Sequence, residues 1–200
     1  HSYLTTPDGM PLVWLGRHHG HKNITRVYGP DLMLQVGDEG RATKLRHYFY
    51  GGAPGVADQL AENLRARFPG IEIVGTYTPP YRALTSDEFS ELQADVAATS
   101  PDIIWVGLST PKQERFMAET WEKLDTGLMI GVGAAFDFHS GRKKQAPRWM
   151  QRSGLEWLFR LATEPRRLAY RYLVHNPMFV LRTFAQLTRL KRYPIESEDS

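Results

Sequence analysis

Between residues 45 and 136, short β-rich runs alternate with longer stretches of helical period. "LRHYFYGG" (45–52) reads as a strand. "PGVADQLAENLRARF" (54–68) then sets apolar residues at 56, 57, 60, 64 and 68, the spacing of one helix face. "IEIVGT" (71–76) reads as a second strand, and "TSDEFSELQADVAAT" (85–99) as a helix whose Thr85 is answered by Glu88, a capping box. "DIIWVGLS" (102–109) is a buried strand, and "PKQERFMAETWEKL" (111–124) a helix with proline near its first turn. "GLMIGVGAAF" (127–136) is another buried strand, with no clear helix after it. Strand–helix–strand units of about 25–30 residues, with strands apolar on both faces, call for a parallel sheet with right-handed crossovers. The expected fold is α/β: a Rossmann-like parallel sheet with flanking helices and a C-terminal basic helical appendage.

Every one of these strands closes on glycine: Gly51 and Gly52, Gly75, Gly107, then Gly131 and Gly133. The carboxyl ends of parallel strands form the ligand crevice of such sheets, where glycine permits close approach. Tight strand–helix turns explain the same glycines equally well. A dinucleotide fingerprint is not completed after Gly133, because the third glycine position is Phe136.

With no cysteine, disulfides, zinc–thiolate sites and cysteine nucleophiles are excluded. No apolar run reaches about 18 residues, so no membrane-spanning helix is expected, and no signal peptide is visible. The chain opens on His-Ser-Tyr and enters on a strand-like run, so the natural start is expected upstream.

Charge is distributed unevenly. Residues 1–140 hold 12 Lys/Arg against 17 Asp/Glu, a net of −5, whereas residues 141–200 hold 13 against 5, a net of +8. An anionic partner for the basic end follows, whether lipid, phosphate-bearing substrate or nucleic acid. Past Pro147 arginines mix with Trp149, Trp157, Phe159 and Leu161 at helical spacing; Pro165 and Asn176-Pro177 suggest helix starts that divide the region into three short helices. Such texture suits an interfacial membrane helix, or helices packed on the domain with a solvated arginine rim. The expected organisation is an α/β catalytic domain over 1–150, a basic amphipathic appendage over 151–192 and an acidic tail over 193–200.

No metal motif is present: there is no HExxH, no Asp-x-Asp pair and no clustered ligands, so no metal site is expected. His18, His19 and His21 read as a polar surface loop. Chemistry concentrates instead at three places. Asp8 lies between Pro7 and Gly9, ordinary turn residues that equally suit a base at a pocket mouth. At "STPKQER" (109–115) a helix N-terminus is expected to offer unpaired N–H groups to a phosphate, with Lys112, Gln113 and Glu114 at hand. Ordinary first-turn polarity explains those three as well. In "GAAFDFHSG" (133–141), Asp137 sits between two phenylalanines. "RVYGPDL" (26–32) suggests an ion pair of Arg26 with Asp31 around Gly29.

Together "PDGMPLVW", "RVYGPDL", "YFYGGAPGVADQLAENLRARFPGIEIVGT", "PDIIWVGLSTPKQERFM" and "GVGAAFDFHSGRKKQAPRWMQRSGLEWLFRLATEPRRLAYRYL" resemble the WecG/TagA/CpsF family of bacterial glycosyltransferases, in the family's order across residues 5–175. The resemblance implies an inverting, metal-independent hexosyltransferase that needs no cofactor. A sugar would pass from a UDP-sugar to a polyprenyl-diphosphate-linked sugar during surface-polymer synthesis. The enzyme would be peripheral on the cytoplasmic face of the membrane, bound to anionic lipid and not to nucleic acid, with homo-oligomerisation left open. By the same analogy Asp8 matches the general base and Gln113 a pocket residue. Gly9, Arg26, Asp31, Gly51, Gly52, Gly75, Gly107, Lys112, Glu114, Gly133, Asp137 and Arg166 are the candidate substrate-binding residues beside them. The appendage matches a membrane-targeting element that brings an arginine to the site; Arg160, Arg166, Arg167 and Arg171 are its available cations. The family normally has further residues ahead of Pro-Asp-Gly, so its N-terminal part is expected to be missing here. "TYTPPYRAL" (76–84) departs from the family's glycine–aromatic loop and leaves the donor sugar unassigned. Two rivals stand beside this: a doubly wound nucleotide-binding oxidoreductase, and a non-enzymatic basic protein binding nucleic acid or membrane.

Overall fold

The computed structural model describes residues 3–188, 190 and 191. Two compact units meet at the boundary between Gln145 and Ala146. The first holds β1 (Arg46–Gly51), β2 (Glu72–Tyr77), β3 (Ile103–Gly107) and β4 (Leu128–Gly131), all parallel, in the order β2-β1-β3-β4. From β1 the chain steps outward to β2, then returns across β1 to β3. The topological switch therefore falls between β1 and β3, where Gly51 is in register with Gly107.

Period-two alternation divides the strand side chains between two layers. On one face Phe49, Ile73, Ile103 and Trp105 pack with α2 (Gly29–Glu39), α3 (Val56–Arg67) and α6 (Ala135–His139) through Met33, Leu60, Leu64 and Phe136. On the other, Tyr48, Tyr50, Ile104 and Val106 meet α4 (Ser86–Thr99) through Leu92 and Val96, and α5 (Lys112–Thr120) through Phe116 and Met117. Trp105 is wholly buried, and its Nε1–H donates to His47 Nδ1 at 3.0 Å. That bond and burial hold His47 neutral, with its pKa lowered to about 4 by desolvation. The capping box at Thr85 is complete, with both reciprocal bonds to Glu88 formed.

Several local expectations are corrected. The apolar run near the start is not a strand: Met10–His18 forms α1, because Pro11 fits a helix's first turn but cannot donate to a ladder. Gly75 lies inside β2 rather than closing it. A Cβ there would stand 2.3 Å from the Tyr48 ring, so the residue is glycine to admit that ring. The run 127–136 is not one strand, since β4 ends at Gly131 and α6 begins at Ala135 after a short turn.

The second unit contains α7 (Arg148–Arg152), α8 (Glu156–Thr163), α9 (Pro165–Tyr170) and α10 (Asn176–Leu187). Pro165 and Asn176-Pro177 both open helices as expected, the second being the start of α10. α9 continues through a π turn, Arg171–His175, into α10. The wider turn changes the hydrogen-bond register just ahead of Pro177, which has no N–H to give. The acidic tail lies outside the described residues.

Candidate active site

At the switch point the backbone is closely packed. Gly52 N–H donates to the Gly107 carbonyl at 3.1 Å, and a Cβ on Gly51 would meet the Gly107 backbone at 2.7 Å. A Cβ on Gly107 would stand 2.4 Å from the Phe136 ring. At Gly51 and Gly107 the close approach is thus made by the protein's own atoms.

Two polar segments converge on the turn after β4. Gln113, in the first turn of α5, accepts from Gly133 N–H at 3.1 Å through Oε1, and its Nε2 donates to Glu114 Oε1 at 3.2 Å. Thr110 Oγ1 donates to the same Glu114 oxygen at 3.0 Å. From the other side, Gly29 opens α2 with its Cα against Val132; a Cβ there would lie 3.4 Å from the Val132 backbone. Tyr28 precedes it, the Arg26 guanidinium lies over the Tyr28 ring at 4.0 Å, and Arg26 reaches Asp8 Oδ1 at 3.5 Å. Val27 N–H donates to the Pro7 carbonyl at 3.0 Å, and Arg26 Nε also donates to the Asp8 carbonyl. Gln113 is thus bonded to Gly133 and Gly29 packs on Val132, while Asp8 is held by Arg26, three positions ahead of Gly29. The Asp8 side chain remains 70% exposed, and Gly9 serves as the N-cap of α1.

Arg26 pairs with Asp8, and Asp31 lies in the first turn of α2. One expectation changes here. The α5 N-terminus is not an open anion seat: the amides of Lys112 and Gln113 both donate to the Ser109 carbonyl, at 2.7 and 3.2 Å. Glu114 adds a carboxylate to that first turn. Asp137, on α6, binds Lys143 Nζ at 2.8 Å. On the same helix His139 Nε2–H donates to the Pro30 carbonyl at 2.8 Å, and burial lowers its pKa.

A separate cleft of about 590 Å³ opens beyond β1, lined by Ala53–Val56, Gln59, Tyr81, Ser140, Gly141 and Arg142. No carboxylate lines it, and Arg142 has no ion pair among the described residues. Gly52 and Gly55 adopt φ of +79° in the loop bounding it, a left-handed conformation that glycine takes freely. Tyr81 is 84% exposed. Gln59, Thr110, Tyr81 and Arg142 were missed from the sequence. Arg142 is the first cation of the basic region, but nothing local tied it to the Gly-rich loop.

In the second unit Arg160 lies on α8, and its buried Nε lacks a hydrogen-bond partner among the described residues. Arg167 pairs with Glu164 at 2.7 Å, and Arg166 is exposed in the first turn of α9. Arg171 begins the π turn, and its side chain lies outside the described residues. Among the described residues no group of three His, Asp or Glu is arranged to hold a metal ion. No helix among them is long and apolar enough to cross a membrane.

The first unit is a Rossmann-like α/β domain, with Gln113 bonded to Gly133 past the carboxyl end of β4. The chain belongs to the glycosyl transferase WecG/TagA/CpsF family, whose profile matches residues 1–193. It is 34% identical over 174 residues to a Bacillus spizizenii N-acetylglucosaminyldiphosphoundecaprenol N-acetyl-beta-D-mannosaminyltransferase, covering 87% of this chain and 65% of that protein. It is 28% identical over 202 residues to the Bacillus subtilis enzyme of the same name, covering 99% of this chain and 75% of that protein.

Proposed function

We propose that this chain transfers a hexosyl group from a UDP-sugar to a sugar carried on polyprenyl diphosphate, with inversion and without a divalent metal. The names of the two relatives point to N-acetylmannosamine as the group moved and to N-acetylglucosamine on undecaprenyl diphosphate as acceptor. One observation carries the reading: the Gln113 amide is held by Gly133 N–H at the turn after β4, while Arg26 holds the exposed Asp8 carboxylate in the segment just ahead of Gly29, which packs on Val132 of that turn. Inversion requires a single base opposite the leaving group. The exposed Asp8 carboxylate suits removal of the acceptor hydroxyl's proton as that oxygen attacks the anomeric carbon. The departing UDP gains negative charge, which cations must meet. Arg142 at the carboxylate-free cleft and Arg160, Arg166, Arg167 and Arg171 of the second unit are the guanidiniums proposed for that work.

Membrane attachment is proposed for the second unit. α10 exposes Val180, Leu181, Phe184 and Leu187, and no residue of that helix is buried. Apolar side chains beside arginines suit the headgroup region of an anionic bilayer, here its cytoplasmic face.

The test is incubation with UDP-N-acetylmannosamine and a short-chain prenyl-diphospho-N-acetylglucosamine in excess EDTA. Product should form at full rate with inverted anomeric configuration, read by mass spectrometry and NMR. Absence of product until magnesium or manganese is restored would refute the guanidinium role. Retained configuration would refute the single-base scheme.

A further inference from the structure

We propose that Glu114 is a positioning residue: it fixes the Gln113 amide so that one Nε2–H is presented to a neutral polar group of the sugar. This rests on the transferase reading above and assigns a division of labour within the same site.

A glutamine amide has two ends, and both are held here. Oε1 accepts from Gly133 N–H at 3.1 Å, which sets which end is oxygen. One Nε2 proton goes to Glu114 Oε1 at 3.2 Å, and Glu114 is itself held by Thr110 Oγ1 at 3.0 Å. The β3–α5 loop is thereby bridged to the turn after β4 through Thr110, Glu114, Gln113 and Gly133. Nε2 carries two protons, so the second remains for a ligand acceptor. Gly131 leaves room for the amide, since a Cβ there would stand 3.0 Å from Nε2.

The ligand's chemistry follows from the charges. A carboxylate bonded directly to the presenting amide repels a phosphate. The nearest helix amides, of Lys112 and Gln113, already donate to Ser109. A sugar hydroxyl or an acetamido carbonyl accepts from Nε2–H without that conflict. Removing Glu114 would leave the amide held only through Oε1, with Nε2 ranging more widely about the terminal torsion.

Kinetics on the full chain test this with a double-mutant cycle. Glu114→Ala should lower kcat/KM about tenfold, and Glu114→Gln should stay within about threefold, because its amide oxygen accepts the same two bonds. In a Gln113→Ala background, Glu114→Ala should have an effect under about twofold. A full tenfold loss in that background would show that Glu114 acts on its own and would overturn the proposal. Normal turnover by Gln113→Ala would overturn it together with the pocket role of Gln113. Should Glu114→Ala not fold, Gly131→Ala displaces the same amide from its other side and should be equally non-additive with Gln113→Ala. An activity-independent reading comes from the Gln113 side-chain amide protons in ¹⁵N spectra, which should be well separated in the parent and broadened or shifted together in Glu114→Ala. Unchanged resonances would overturn the proposal whatever reaction the enzyme performs.

Discussion

The two units use apolar residues in opposite ways. In the first, Trp105, Tyr48, Phe49 and Phe136 are enclosed between sheet and helices. In the second, α8 and α10 bury no residue at all, while Leu181 stays 68% and Phe184 60% exposed. Aromatic and aliphatic content alone therefore says little: the same residue types build a core in one region and stay exposed in the other. The exposed apolar side chains on helices that also carry arginines are what the proposed lipid-facing role rests on.

Paired substitutions test that contrast most strongly. Trp105→Ala should cost about 3–5 kcal/mol, through lost burial and the cavity left behind, measured by urea unfolding. Leu181→Ser with Phe184→Ser should change the same midpoint by less than about 0.5 kcal/mol each. That pair should nonetheless weaken binding to phosphatidylglycerol vesicles at least about tenfold in a sedimentation assay. Equal destabilisation by both sets would erase the distinction between the units.

A smaller effect comes from His47. Its folded pKa of about 4 lies below the ordinary 6.5, so its contribution is complete above pH 6.5 and is lost as pH falls from there towards 4. Unfolding free energy should drop by about 2 kcal/mol between pH 7.5 and 5, with His139 adding to the same slope. His47→Leu should flatten that dependence. The smallest effect sharpens the sequence reading: Thr85→Ala should cost about 1 kcal/mol, since it removes the side-chain acceptor from an otherwise intact capping box.

Legibility followed the range of the interactions. Thr85 and Glu88, three residues apart, announced their helix, and the four strands were visible because each is a short apolar run flanked by turns. Tyr48 filling the space at Gly75 was not visible, because a glycine that admits a ring from another strand looks like one that ends a strand. Neither was Arg26 turning to Asp8, or Gln113 bonding Gly133, since both depend on how segments meet after the sheet has formed. The π turn that joins α9 to α10 was hidden because nothing local in Arg171–His175 marks a change of helical register. Asp8 and Gln113 themselves were legible as residues.

The most direct measurement is the turnover of Asp8→Asn beside its affinity for UDP. The asparagine oxygen still accepts from Arg26, so the local anchoring should survive and UDP should bind as it does to the parent, read by calorimetry. Transfer to the prenyl-diphospho-sugar should fall about 10²–10⁴-fold. Turnover near that of the parent, with UDP still bound, would contradict Asp8 as the base.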